Sequence, residues 1–83
     1  MNAETQTKWD YCFEQFNALS DMTRSILRRC ASNHLVDRGF EEVGSSDINH
    51  ELFGMWETYD QDWARVMTTE LDLFANQELH RYR

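Results

Sequence analysis

The stretch from Ser46 to Arg83 constrains the fold more than any other part of the chain, because it contains no proline and only one glycine. When successive residues are placed about 100° apart around a helix, its apolar side chains form one broad stripe. The stripe contains Ile48, Leu52, Met55, Trp56, Tyr59, Trp63, Val66, Met67, Leu73 and Phe74. The opposite side contains Asp47, Glu51, Glu57, Asp62, Arg65 and Asp72. The pattern predicts a long C-terminal helix over about 46–80, with the rest of the chain packed on its stripe.

The length of this helix leaves two arrangements open. One continuous helix would span about 50 Å, which is longer than two short helices can cover. The segment therefore runs straight with a second copy of the protein covering the excess, or it bends into a helical hairpin near Tyr59–Asp62. Because the apolar stripe stays in phase across Tyr59 and Trp63, we predict a continuous helix.

Two shorter helices precede this stretch. Apolar residues recur at spacings of three and four from Thr5 to Phe16, which predicts a first helix over about 4–18. Ser20 and Asp21 have the residue types of a helix start, although a single bent helix through Ser20 is also compatible with the sequence. The second helix has one apolar face, formed by Leu19, Ile26, Leu27, Cys30 and His34.

The connection to the long helix has clear turn residues. Gly39 can adopt the left-handed conformation that ends a helix. Phe40 and Val43 are expected to fold back into the core, and Ser45 or Ser46 is expected to cap the long helix. Since no alternating strand pattern is present, the chain is predicted to be a single all-α domain over 1–83, a small three- to four-helix bundle.

The charge balance limits the classes of partner. Fifteen acidic residues against eight basic residues give a formal charge of −7. Phosphate backbones repel such a chain, so direct binding of nucleic acid is not expected, whereas a basic protein surface would attract it. The N-terminal residues lack a signal-peptide pattern, and no apolar run reaches 18 residues. We therefore expect a cytoplasmic protein without a membrane contact, with Cys12 and Cys30 reduced or joined in one disulfide.

The residues that carry chemistry give few positive signals. Cys12, Cys30 and His34 could meet in the core as zinc ligands, but cysteine and histidine on apolar faces are more often ordinary core residues. The glutamate and histidine pairs of a di-iron bundle are absent from the sequence, and so is a glycine-rich phosphate loop. We predict a protein that is not an enzyme and has no catalytic residues, metal or cofactor.

Glu70 is the exception on the apolar stripe, where it lies between Met67 and Phe74. A buried carboxylate requires a partner, which Arg24, Arg28 or Arg29 could supply. The alternative is that this end of the stripe is exposed and Glu70 is solvated. The sequence leaves both arrangements open.

Small size, acidity, aromatic richness and missing catalytic groups lead to one functional hypothesis. The protein is expected to be a non-catalytic inhibitor that imitates DNA and blocks a nucleic-acid-handling host protein, as phage- or mobile-element-encoded anti-defence or anti-CRISPR proteins do. The host cytoplasm would then be its location. The expected contacts are Glu51, Glu57, Asp60, Asp62, Asp72 and Tyr11, with His80–Arg83 as secondary contacts. The alternative is a structural module that forms a homodimer or an assembly subunit through its aromatic stripe.

Overall fold

The computed structural model describes residues 2–81, with the side chains of Phe74 and residues 77–81 outside that description. The described chain consists of four α-helices joined by short connections and contains no strand. The all-α fold is therefore confirmed. The helices are α1 (Ala3–Asn17), α2 (Asp21–Asp37), α3 (Ser45–Thr58) and α4 (Trp63–Arg81).

The ends of the first two helices follow the local signals in the sequence. The Asn2 side chain accepts a hydrogen bond from the backbone of Thr5, and the Ser20 side chain accepts one from Thr23. Gly39 has a φ of +99°, and the following Phe40 N–H donates to the carbonyl of Leu35. This geometry satisfies the last carbonyls of α2 and confirms Gly39 as the stop.

The start of α3 differs from the prediction in two respects. The N-cap is Gly44 rather than Ser45 or Ser46, because the Asp47 carboxylate accepts a hydrogen bond from the Gly44 N–H and fixes the first turn there. Phe40 remains 41% exposed instead of folding into the core. It directly follows Gly39, and its N–H is held by the carbonyl of Leu35 in the turn that ends α2.

The predicted continuous helix over 46–80 is wrong: the chain ends α3 at Thr58 and begins α4 at Trp63. Asp60 and Gln61 have φ angles of 58° and 60°, which lie outside the right-handed helical region. The Gln61 N–H donates to the carbonyl of Trp56 and closes α3. Asp62 then caps α4, since its carboxylate accepts hydrogen bonds from the backbones of Ala64 and Arg65.

This break allows both halves of the stripe to enter one core. Trp56, Leu52 and Val66 are fully buried, and Trp63 is 5% exposed. The Trp63 ring lies 5.1 Å from the Phe16 ring, and its indole N–H donates to the carbonyl of Cys12 at 3.2 Å. Leu73, which the stripe assigned to the core, is 49% exposed. The hairpin therefore takes the place of the second copy that a straight helix would need.

The left-handed turn predicts a stabilising substitution. A non-glycine residue in this conformation costs about 1–2 kcal/mol, and glycine avoids the steric part of that cost. We expect Gln61→Gly to raise the free energy of unfolding by about 1 kcal/mol in urea denaturation. Gln61→Ala is the control, because it removes the same side chain without relieving the backbone. Equal stability of the two variants would contradict the prediction.

Candidate functional site

The most concentrated group of polar side chains surrounds His34 in the last turn of α2. Its Nδ1 lies 3.1 Å from Oε1 of Glu51 on α3, and its Nε2 lies 3.1 Å from Oε2 of Glu70 on α4. Arg38 donates to the other oxygen of Glu51 at 2.5 Å. One imidazole thus links three helices through two carboxylates.

The hairpin explains why these residues meet. Glu51 lies seven residues before the end of α3, and Glu70 lies seven residues after the start of α4. Because the two helices fold back on each other, equal distances from the turn bring both carboxylates to the same level of the bundle. His34 meets them there from α2, the helix on which α3 chiefly packs.

This arrangement decides between a buried and a solvated Glu70. Glu70 is 4% exposed, so it is buried, and His34 is its hydrogen-bond partner. Arg24 pairs with Asp21, while Arg28 lies over the ring of Phe16 and donates to Asn49. Each ring nitrogen of His34 therefore faces one carboxylate oxygen, and the imidazole bridges Glu51 and Glu70.

The two cysteines are buried in the core and are free thiols. Burial, together with a smaller effect of the nearby Glu57 carboxylate, raises the pKa of Cys12 to about 12. Burial is also the main cause that raises the pKa of Cys30, and the charge of Glu70 adds to it. Both thiols are therefore protonated at neutral pH, and a protonated thiol is a poor nucleophile and metal ligand.

The possible zinc ligands do not converge on one point. Both ring nitrogens of His34 are already hydrogen-bonded to carboxylates on opposite sides of the imidazole. Within the part of the chain that the structure describes, no group of three or more histidine, cysteine, aspartate or glutamate residues could hold a metal ion.

Tyr11 on α1 and Glu57 on α3 lie where these two helices meet, and two further predicted contact residues follow in the α3–α4 turn. Tyr11 is 50% exposed, and its ring contacts that of Trp56 edge-on at 5.9 Å. Glu57 follows Trp56 and is close enough to Cys12, the neighbour of Tyr11, to raise its pKa. The α3–α4 turn then adds two more carboxylates at the end of α3. We name this surface the acidic edge: Tyr11, Glu57, Asp60 and Asp62.

Contacts within the protein already engage some of the predicted contact carboxylates. Asp60 pairs with Arg65, but both side chains are mostly exposed, at 78% and 58%, so the pair is weak. Asp62 caps α4 and remains exposed. Asp72 is exposed on α4, and the secondary contacts His80–Arg83 lie outside the described side chains.

Glu51 differs most from its predicted position on the outward surface. Its side chain is 15% exposed, because His34 and Arg38 hold it against α2. The helical wheel of one segment does not contain these partners, which lie 17 and 13 residues earlier in the chain. Sequence reasoning found His34 on an apolar face and Glu70 on the stripe but did not pair them.

The net charge of the protein is confined to one segment. Residues 37–62 contain eight of the fifteen acidic residues and one of the eight basic residues. This segment therefore carries the whole formal charge of −7, and the remaining acidic and basic residues balance. It comprises α3 and the two connections that flank it.

Comparison with protein-family models, curated proteins and solved structures finds no match to this chain. Among the described residues, no helix has both the length and the apolar character that crossing a bilayer requires. The interpretation of the site therefore depends on its geometry and charge.

Proposed function

We propose that this protein is a non-catalytic inhibitor that binds a basic, nucleic-acid-handling partner through its acidic edge. The observation that carries the proposal is the confinement of the whole −7 charge to residues 37–62. A segment with this excess of carboxylates attracts the positive groove in which such a partner holds nucleic acid. The finer proposal is a DNA mimic encoded by a phage or mobile element against a host defence protein.

The acidic edge has the composition of a protein contact. Tyr11 offers a half-exposed ring that is held against Trp56, and tyrosine is common at the centres of protein interfaces. Glu57, near the neighbouring Cys12, and Asp60 and Asp62, in the turn that ends α3, add three negative charges. The Asp60–Arg65 pair is exposed, so an arginine of a partner can compete for the Asp60 carboxylate at little cost.

The homodimer alternative has less support. Its interface would be the aromatic stripe, yet Trp56 and Trp63 lie in the core of a single chain. Apolar contacts also weaken little as salt rises, whereas a carboxylate interface loses affinity. Sedimentation at low and high salt therefore distinguishes the two proposals.

The test neutralises the acidic edge while keeping its shape. In the triple variant Glu57→Gln/Asp60→Asn/Asp62→Asn, asparagine retains the cap of α4 and tolerates the left-handed turn. We expect affinity capture from nuclease-treated bacterial lysate to lose its nucleic-acid-binding proteins at least tenfold in this variant. Duplex DNA added to the wild-type capture should release the same proteins.

The matched control makes the same change of charge elsewhere. Glu4→Gln/Asp10→Asn/Asp21→Asn removes three exposed carboxylates from the balanced part of the chain. This control should retain the captured proteins within about twofold, since none of its three carboxylates belongs to the acidic edge or to residues 37–62. Equal capture by both triple variants and the wild type would refute the proposed contact surface.

A further inference from the structure

A cleft opens beside the His34 cluster, on the side of the hairpin turn. Its volume is about 280 Å³, which corresponds to about nine water molecules at their liquid volume. The residues that line it come from α2, α3, α4 and the turn between the last two. They include His34, Arg38, Glu51, Gly54, Tyr59 and Glu70.

Gly54 borders this cleft in the middle of α3, where glycine weakens a helix relative to alanine. A β-carbon at this position would meet no atom of a neighbouring element within 4 Å. The packing of the protein itself therefore does not require glycine here. Glycine in such a place leaves room for another molecule to approach the helix backbone closely.

The cleft presents more acceptors than free donors. Two carboxylates form its inner wall, and each carboxylate can accept up to about four hydrogen bonds. Arg38, on the rim, already donates to Glu51 although its own side chain is 57% exposed. This contact demonstrates that a guanidinium fits against the carboxylate wall. Because the Arg38 side chain is exposed, another guanidinium can replace it at little cost.

We propose that the cleft receives an arginine side chain of the basic partner, which passes over Gly54 and takes the place of Arg38 on Glu51. This inference rests on the proposed function, because it assigns one arginine of the same basic partner to a cleft on this protein. Arginine suits this cleft as a ligand because its planar guanidinium binds carboxylates in a bidentate manner.

The experiment titrates a hexa-arginine peptide into the isotope-labelled protein and follows backbone amide shifts by NMR. Hexa-citrulline is the neutral control peptide, since citrulline keeps the shape of arginine without its charge. We expect saturable shifts at Gly54 and Tyr59 with hexa-arginine only. Non-saturating shifts spread over all acidic surfaces would overturn the proposal.

Two variants test the cleft in opposite directions. Gly54→Leu fills the entrance without changing charge and should weaken hexa-arginine binding at least fivefold. The control Thr7→Leu, on α1 away from the cleft, should not weaken it.

Arg38→Ala frees Glu51 and should tighten hexa-arginine binding at least threefold. Arg24→Ala removes the same charge from a different pair and should change binding less than twofold. Thermal denaturation verifies that each variant is folded.

The outcomes separate this inference from the proposed function. If neutralising Glu57, Asp60 and Asp62 abolishes peptide binding while Gly54→Leu and Arg38→Ala match their controls, the cleft is refuted and the acidic edge is supported. If Gly54→Leu weakens binding and the neutralised edge binds normally, the cleft is supported and the edge is refuted.

Discussion

Replacing His34 with alanine is expected to lower the free energy of unfolding by about 3 kcal/mol, because the change removes the imidazole partner of the buried Glu70 carboxylate and leaves it with the weak thiol donor of Cys30. Glu70 is 4% exposed, and its hydrogen bond to His34 is 3.1 Å long. A domain of 83 residues has a total stability of about 4–12 kcal/mol at typical values per residue. The loss is therefore a large share of the total, and guanidinium titrations monitored by circular dichroism should give a much lower midpoint for the variant.

A second substitution shows whether the loss comes from the stranded carboxylate. In the double variant His34→Ala/Glu70→Leu, the buried position becomes apolar, and we expect most of the lost stability to return. His50→Ala serves as the matched histidine control, since His50 is exposed on α3, and should cost less than about 1 kcal/mol. A double variant no more stable than His34→Ala alone would show that Glu70 is not the cause.

Alkaline pH is expected to destabilise the protein through Cys12. Its pKa is raised from 9.0 to about 12 in the folded protein, mainly by burial. Unfolding at high pH thus releases a proton from this thiol, so the unfolded state holds fewer protons and stability falls as pH rises from 9.0 towards 12. Cys12 alone should remove about 1.4 kcal/mol per pH unit within this window, or roughly 3 kcal/mol by pH 11.

The measurement compares slopes rather than absolute stabilities. Cys12→Ala leaves a small cavity, which lowers stability at every pH but removes the thiol proton. Urea denaturation between pH 9 and pH 11 should therefore give a shallower decline for the variant by about 1.4 kcal/mol per pH unit. Cys30→Ala should flatten the curve as well, since burial also raises that pKa. Parallel curves for Cys12→Ala and wild type would contradict the assignment.

Local signals predicted the first half of the fold because each is decided by nearby residues. The helix ends at Ser20 and Gly39 depend on a side chain or a backbone conformation within a few positions. The break at residues 59–62 depends on a different balance. The left-handed residues Asp60 and Gln61 are locally unfavourable, and burial of Trp63 and Val66 in the common core offsets their cost. A helical periodicity reports only the spacing of residues along the chain, so it contains no information about the free energy gained by this burial.

The candidate site shows the same division between local and distant information. Asp60, Asp62 and Glu57 are exposed or partly exposed, in line with their places near the polar turn. Glu51 is mostly buried because its partners belong to another helix. The signal that could have paired His34 with Glu70 was the presence of each on an apolar face, since a buried ionisable residue requires a partner. Choosing that partner required the hairpin, which the sequence pattern left open as the alternative to a straight helix.

The confinement of the excess charge to α3 and its flanking connections has a consequence for encounters in solution. The molecule has an electric dipole in addition to its net charge, because the balanced remainder of the chain does not share the excess. In the electric field of a basic protein, the molecule is oriented before the two proteins make contact. A larger share of encounters therefore begins with α3 facing the basic protein. Association should therefore be fast at low ionic strength and slow markedly as added salt shortens the reach of that field.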